Sequence, residues 1–474
     1  MIVSKTKFSN IASDCYLRCD EKYHSVESLC SYNIFGIPVE KQISLSDVIE
    51  ECYLTFDYEE GRIYKGIPTG QTYIDEDGDI IDYQPVSLND HPDRLKYALT
   101  NNLILISSLR LARSPALLFE NFNLEEFVFS NGFYCFSVKA GWEKKYVLYL
   151  LRLKKLKSII DNNIYRGIGI STYKVKDLLR IPVRQLSKQE QIDTIKSINP
   201  IEKKIAVLKK RKHSIKTIID TVFQRRFGLD FQDYIQIEKR KNIKIANVSL
   251  AKSNSTLRLS YRWNKSVAFQ DLITKKIECS TYLGHHIVSV KNGWSPVCND
   301  SENGYRILGI DAISNSGELS FDNPKYSSME KSDLSSYYVR DQDFFVSRGN
   351  TVDLVALAAV ANIKEDDNQD VIYPDLMIRI NFDNYVNKKY MAYVFNSFIG
   401  RCYFKYCTKG KNQTMVKVSL KELRDFVVPL PNLAIQQSIV DEIRKEINEQ
   451  QRIKKEIAVL REQIDEIIIR SISA

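Results

Sequence analysis

Histidine occurs only five times in these 474 residues, and the nine cysteines are scattered without one Cys-x-x-Cys pair. Zinc sites draw on those two residue types at short, regular spacings. His285-His286 lies near Cys279 and Cys298, but the spacing fits no such pattern, so no metal site is expected. An odd number of unframed thiols reads as reduced cysteine in a cytosolic protein, not as a disulfide scaffold. Long hydrophobic runs are missing too. The longest, Leu354 to Ala361, is far too short to cross a bilayer. The opening MIVSKTKFSN has no apolar segment of the kind a secretory signal carries. The expectation is a soluble, cytoplasmic protein with no membrane partner.

Catalytic signatures are equally scarce. Gly167-Ile168-Gly169-Ile170-Ser171-Thr172 begins like a dinucleotide loop but lacks the third glycine and the helix after it. Lys409-Gly410-Lys411-Asn412-Gln413 contains Gly-Lys, yet no Ser or Thr follows and no glycine stands five positions earlier, so it is not a phosphate loop. Asn199-Pro200-Ile201-Glu202 starts like the Asn-Pro-Pro-aromatic motif of amino-methyltransferases, with Ile201 and Glu202 where the second proline and the stacking ring would be. No Gly-x-Ser-x-Gly elbow exists, and Asp366-Asp367 lies in a polar run that reads as a solvated turn. Neither intrinsic catalysis nor a cofactor is expected.

What is present is ample core and modest positive charge. The length suggests roughly three domains of about 150 residues each, and 44% apolar against 27% charged residues excludes global disorder. Lys and Arg number 68 against 59 Asp and Glu, for a net charge of +9. Residues 201–228 concentrate that excess: Lys203, Lys204, Lys209, Lys210, Arg211, Lys212, Lys216, Arg225 and Arg226 stand against Glu202 and Asp220. Such a stretch suits a polyanion or an acidic protein face, or pairs its charge internally.

The sequence also repeats itself. Lys203-Lys204-Ile205-Ala206-Val207-Leu208-Lys209 returns as Lys455-Glu456-Ile457-Ala458-Val459-Leu460-Arg461. Upstream, Asp177 to Pro182 followed by Gln189-Glu190-Gln191-Ile192 is answered by Asp425 to Pro431 followed by Gln436-Gln437-Ser438-Ile439. Earlier still come Arg166-Gly167 and Lys409-Gly410. Matched marks in one order indicate a tandem duplication.

After each proline mark the apolar period becomes helical. Ser187 and Glu190 have capping-box spacing, and Asn432 is a candidate N-cap for the second helix. Ile201, Ile205, Leu208, Ile215, Ile219 and Val222 recur at steps of three and four, with Lys212 in the missing place. In the second copy the seam is Ile453, Ile457, Leu460, Ile464 and Ile467. These are coiled-coil seams. The first helix is predicted to run from Ser187 to Gly228, about 42 residues and about 60 Å at 1.5 Å per residue, with Asn199-Pro200 kinking or restarting it. Two such helices can pair antiparallel. Residues 1–186 and 229–432 read as mixed α/β, with strand-like runs at Asn102–Ser107 and Asp343–Ser347 set among polar turns. The predicted fold class is α+β: domains at 1–186 and 229–432, each followed by a long helix, 187–228 and 433–474, the helices forming an antiparallel coiled coil.

Duplicated halves that each end in an Ile-Pro or Val-Pro mark, a Gln-rich mark and a long helix resemble the specificity subunit of type I restriction–modification enzymes. The glycine-rich opening usual in that family appears as Lys65-Gly66-Ile67-Pro68-Thr69-Gly70, and Asn292-Gly293-Trp294-Ser295-Pro296 is comparable in the second half. The second copy has Gln436-Gln437 where the family has Glu-Gln. The resemblance implies a non-catalytic subunit in which each half supplies a target recognition domain. It implies double-stranded DNA as partner, together with two methyltransferase subunits and, for cleavage, two restriction/translocase subunits.

One chain carrying two unlike recognition domains suits a bipartite, asymmetric target, and helices of this length could hold those domains about one DNA turn, roughly 34–36 Å, apart. Phosphate contacts would position and base-edge contacts would specify. The candidate contacts lie on loops where glycine lets the backbone approach DNA: Lys65, Thr69, Gln71, Arg110, Arg113 and Arg166 in the first half, and Arg348, Asn350, Lys409, Lys411, Asn412 and Gln413 in the second. Two other readings stay open. One is an interaction scaffold with two protein-binding domains on a coiled-coil rod and no DNA. The other is a specificity partner for a fused nuclease–methyltransferase.

Overall fold

The computed structural model describes residues 37, 39–70, 72–75, 78–109, 116–120, 123–159, 173–239, 261–299, 302–363, 371–408 and 415–473. The chain divides into two compact units, one drawn from Met1–Arg211 and Lys454–Ala474, the other from Lys212–Ile453. Each mixes helices with small sheets. Among the described residues no helix is long and apolar enough to cross a membrane.

The strands of the first unit are β1 (Gln42–Ser44), β2 (Ile49–Glu51), β3 (Leu54–Thr55), β4 (Tyr64–Ile67), β5 (Gln84–Val86), β6 (Leu95–Ala98), β7 (Leu103–Ser107), β8 (Phe127–Ser130), β9 (Phe133–Val138) and β10 (Pro182–Arg184). Every residue of β7 is buried, as the unbroken apolar run Leu103 to Ile106 predicts for a strand covered on both faces. One sheet runs β2-β9-β7 and another β3-β6-β8-β4-β5. Leu105, Phe129, Phe133 and Cys135 join the two in one core cluster. β1 pairs antiparallel with β10, bringing the first and last of these strands together.

The second unit has β11 (Ser280–Tyr282), β12 (Ile287–Asn292), β13 (Tyr305–Ile307), β14 (Lys325–Ser327), β15 (Phe344–Ser347), β16 (Gly349–Asn350), β17 (Ala358–Val360), β18 (Val371–Ile372), β19 (Met377–Phe382), β20 (Val416–Lys417) and β21 (Val427–Pro429). β15 alternates as a strand should: Phe344 and Val346 enter one core cluster and Phe345 another. The pairings of the first unit recur here. β11 pairs with β21 as β1 does with β10. β12-β19-β15 follows the order of β2-β9-β7. β4 has an antiparallel neighbour in β5 and a parallel one in β8; β13 has the same in β14 and β18. Isolated bridges Ile74–Ile80 and Ile313–Leu319 also correspond.

The last strand of each set leads into a helix, Lys188–Lys210 and Leu433–Ser473. Ser187 and Glu190 form the expected capping box, and Asn432 Oδ1 accepts from the Ile435 amide at 3.0 Å. One turn in, each helix carries a glutamine with no exposed surface, Gln191 and Gln436. Gln191 Oε1 accepts from the Glu143 amide at 2.7 Å, and its Nε2 donates to the Gly141 and Leu186 carbonyls at 3.1 and 3.2 Å. Gln436 Oε1 accepts from the Asn387 amide at 2.8 Å, and its Nε2 donates to the Tyr385 and Pro431 carbonyls at 2.9 and 2.7 Å. The corresponding residues are therefore Gln191 and Gln436, not Gln189 and Gln436. The proline marks are likewise out of step. Pro182 pairs with the last residue of β1, whereas Pro429 pairs with the first residue of β11.

The first helix does not run unbroken to Gly228. It stops at Lys210 and a second one, Ile215–Phe227, starts after Ser214, whose hydroxyl accepts from the Thr217 amide at 3.0 Å. Lys212, placed in the seam on sequence, is exposed: Arg211-Lys212-His213-Ser214 offers no apolar side chain to hold a turn on the core. Pro200 does not end the helix; it is exposed, so its ring and its missing donor face solvent. Ile205, Leu208, Ile219, Val222, Ile453, Ile457, Leu460 and Ile464 are buried, while Ile201, Ile215 and Ile467 are only partly so. Ile468 and Ile472 take the buried positions after Ile464.

Each unit is closed by helix residues remote in sequence. In the first, Lys204 pairs with Glu456 at 3.0 Å, Lys154 with Glu462 at 2.7 Å, and Arg184 Nη1 donates to the Ser471 carbonyl at 3.0 Å. In the second, the His213 amide donates to Gln450 Oε1 at 2.8 Å, Arg226 Nη2 to Ser438 Oγ at 3.0 Å, and both Arg225 and Arg226 pair with Glu442. Aspartates meet the first amides of two further helices, Lys154–Ile159 and Phe398–Cys407: Asp465 accepts from the Lys154 amide at 3.4 Å and Asp220 from the Phe398 amide at 2.6 Å. Burial pushes both carboxyls above their ordinary pKa.

Candidate nucleic-acid interface

Lys65 lies on β4, with Nζ 2.9 Å from Glu126 Oε2 and 5.1 Å from the Phe127 ring centroid. The hydrogen bond holds the Lys65 ammonium above its ordinary pKa and the Glu126 carboxyl below its own. Its charge is thus already answered inside the unit. Thr69 follows the strand and rests on Gly132, where an added β-carbon would stand 2.9 Å from its methyl group. Gly70 has φ 149°, a backbone that side chains rarely adopt. The Ser108 amide and hydroxyl both donate to the Gly132 carbonyl, at 2.9 and 2.7 Å. Thr69 and the segment leading toward Arg110 therefore meet at the turn between β8 and β9. Gln71, Arg110, Arg113 and Arg166 lie outside the described residues.

In the second unit Arg348 lies at the corresponding turn, between β18 and β19. The Arg348 amide donates to the Leu376 carbonyl at 2.6 Å, and Nη1 reaches the Asp375 carbonyl at 3.5 Å. Asn350 is opposite Val416 across the β16–β20 pair, and its Oδ1 accepts from the Thr351 amide at 2.8 Å. Lys409, Lys411, Asn412 and Gln413 lie outside the described residues; β20 pairs with β16, directly after Arg348, and the Val418 amide donates to the Arg348 carbonyl at 2.9 Å. A half-buried guanidinium and an amide side by side suit phosphate and base-edge contacts.

Sequence reasoning missed two things here. By topology the second-half position corresponding to Lys65 is Arg306, since Lys65 is opposite Phe127 and Arg306 opposite Val371 in matching parallel pairs. The Asn292–Pro296 stretch is not the counterpart of Lys65–Gly70; it follows β12, which matches β2. The second omission is a cluster of lysines on aromatic rings, with Lys331 Nζ 4.4 Å from both the Trp294 and Tyr337 centroids and Lys291 Nζ 4.5 Å from Tyr337. Its members come from three separate segments, so no local spacing announces it.

The basic stretch 201–228 is largely neutralised within the units. Lys204, Lys209, Lys216, Arg225 and Arg226 pair with Glu456, Asp79, Asp220 and, for both arginines, Glu442. Lys203, Lys210 and Lys212 are exposed. His286 Nδ1 is 2.9 Å from Asp383 Oδ2, an ion pair when the ring is protonated, and the described residues contain no cluster suited to a metal ion.

No family model matches the chain. In sequence it is similar to the type I restriction enzyme EcoKI specificity subunit of Escherichia coli strain K12, 23% identical over 201 residues, which are 42% of this chain and 41% of that relative. The chain thus matches well under half the length of that curated relative. Among solved structures it is similar to a chain from a study of complex assembly and conformational transition in the type I R-M system, with TM-score 0.41 and 12% identity, covering 92% of this chain and 98% of that one. It is also similar to the HsdS subunit from Thermoanaerobacter tengcongensis, with TM-score 0.33 and 14% identity over 92% and 96% of the two chains. The curated relative carries the family name that the sequence motifs resemble.

Proposed function

We propose that this chain is the non-catalytic DNA-specificity subunit of a type I restriction–modification complex. Its two halves are tandem copies of a target recognition domain, and each reads one half of a bipartite, asymmetric target. The observation that carries the reading is one set of strand pairings and one buried glutamine latch, present twice in a single chain under unlike surface residues. A duplicated scaffold with unlike loops suits the reading of two unlike half-sites. The likeness to the EcoKI specificity subunit supports it. The partners on this reading are double-stranded DNA, methyltransferase subunits and restriction/translocase subunits, in the cytoplasm.

The helices form an antiparallel coiled coil in this proposal, as the ion pairs of each unit favour, and the coil sets the unread gap between half-sites. Adding one heptad to both helices should change the gap the complex tolerates. Lys409 and Lys411 contact phosphates, so replacing both with Ala should lower the salt slope of DNA binding by up to about two units.

The deciding experiment sequences modified bases in cells that carry the cognate methyltransferase, with and without this chain. A bipartite motif modified only when the chain is present is the expected result. If the methyltransferase is active with another specificity subunit and this well-expressed chain adds no motif, the reading fails and a protein-binding scaffold replaces it.

A further inference from the structure

We propose that the second unit holds DNA at a further place, where Lys291 and Lys331 take backbone phosphates and an apolar tip of Val297 and Met329 meets the methyl group of a thymine. This rests on the DNA-reading function proposed above and names residues for it.

The site is built on Trp294. Gly293 precedes it at a point where an added β-carbon would run into the Tyr373 and Pro374 carbonyls. The Gly293 amide donates to the Met377 carbonyl at 3.1 Å and the Trp294 amide to the Tyr373 carbonyl at 3.0 Å. The indole is thereby fixed beside Tyr305 and Tyr337, with centroids 6.4 and 6.2 Å away. Lys331 sits on the indole and the Tyr337 ring together, at 4.4 Å from each. Ring faces stabilise an ammonium but use none of the acceptor sites that its three N–H groups seek. Among the described residues Lys331 has no carboxylate within ion-pair distance. Glu330 beside it in sequence is exposed, and the nearby Asp333 stands 3.9 Å from Lys291 instead. A half-buried cation held on rings, with its donors unspent, suits a phosphate oxygen.

The tip is equally well held. Val297 is 76% and Met329 44% exposed, yet neither is loose. The Val297 amide donates to Met329 Sδ at 3.2 Å, Ser327 Oγ donates to the Val297 carbonyl at 2.8 Å, and Tyr305 Oη donates to the Met329 carbonyl at 2.8 Å. Isolated exposed apolar residues need no explanation. Two that are tied to each other and, through Tyr305, to the ring cluster that carries the lysines offer an apolar point beside basic side chains. A duplex groove presents the complement, with thymine methyl groups at base edges and phosphates along the rim.

The cluster also adjoins the candidates already named. Ser295 Oγ donates to Asp375 Oδ1 at 2.6 Å, and Arg348 reaches the carbonyl of the same Asp375. One turn, Tyr373 to Leu376, therefore carries the aromatic cluster on one side and Arg348 on the other.

The test uses the full chain assembled with its methyltransferase, on a duplex bearing the motif found by modified-base sequencing. Replacing Lys291 and Lys331 with Ala should lower the salt slope by up to about two units. Changing thymines to uracils in the half-target read by this unit should weaken wild-type binding about fourfold per buried methyl, and a Val297→Ser, Met329→Gln variant should not register that change. An unchanged slope in a lysine variant that melts like wild type overturns the phosphate contact. A uracil duplex bound as tightly as the thymine one, or a half-target without thymine, overturns the base contact. Loss of methyltransferase co-purification with DNA slope intact identifies a protein interface instead. A wild-type complex that does not bind the motif at all defeats the DNA-reading function itself, which is a separate result.

Discussion

Both units set cations against aromatic rings, but they differ in how closely carboxylates answer them. In the first, Phe56, Tyr58 and Tyr64 pack edge to edge and Tyr58 stacks on His91 at 4.2 Å. The cations there are answered nearby, Arg62 by Glu59 and Lys65 by Glu126. In the second, Trp294, Tyr305 and Tyr337 form the cluster that carries Lys291 and Lys331; Asp333 stands 3.9 Å from Lys291, and among the described residues no carboxylate is within ion-pair distance of Lys331. Several strand pairings and the glutamine latch recur in both. What is buried and hydrogen-bonded is held constant by the cost of leaving a polar group unmet. What faces solvent bears no such cost and is free to differ in charge.

The comparison breaks first, if anywhere, at the latch. Gln191→Leu and Gln436→Leu each strand one amide and two carbonyls, so each should destabilise its own unit by about 2–4 kcal/mol. Urea unfolding of the two variants should give similar losses, and a large loss from one alone would mean that the halves do not share a framework. Next is Gly293→Ala. Its new methyl meets backbone carbonyls, whereas at Gly66 the nearest atom is a Leu95 methyl that can turn aside. Gly293→Ala should cost about 2 kcal/mol and Gly66→Ala less, as thermal melts would show.

The caps sharpen the comparison at a smaller scale. Ser187→Ala and Asn432→Ala should each cost about 1 kcal/mol. They should differ in pH dependence, because Ser187 shares its box with Glu190. Hydrogen bonds from the Ser187 side chain and backbone hold the Glu190 carboxyl below its ordinary pKa. Its contribution is therefore full above about pH 4.3, the unfolded value, and fades as pH falls through the lower folded value. Acid titration followed by circular dichroism should show that loss in wild type and a smaller one in Ser187→Ala, with Asn432→Ala keeping the wild-type slope. Smallest is Lys204→Ala, which removes an exposed pair with Glu456 and should move stability by no more than about 0.5 kcal/mol, less in high salt.

Much of this architecture was legible because local rules govern it. The helical period of Ile205, Leu208, Ile457, Leu460 and Ile464, the Ser187–Glu190 box and the strand Leu103–Ser107 each follow from spacing alone. The break at Arg211–Ser214 was not read, although its polar run was in plain view, because Lys212 was taken to fill a seam position. Aligning prolines gives the wrong register for the halves, because the residue under constraint is the buried glutamine, whose partners lie up to 51 positions away. The lysine–aromatic cluster depends on β12, the Lys331 segment and Tyr337 meeting in space, which no window of sequence contains.

The helix exchange has a consequence in time. The second unit has all its parts once residue 453 has been made, since it is drawn from Lys212–Ile453. The first has its strands between Gln42 and Arg184 but takes Glu462, Asp465 and Ser471 from Lys454–Ala474. During synthesis its sheets can pair early, yet the Lys154 helix and Arg184 wait for residues translated hundreds of codons later. The unit begun first is completed last.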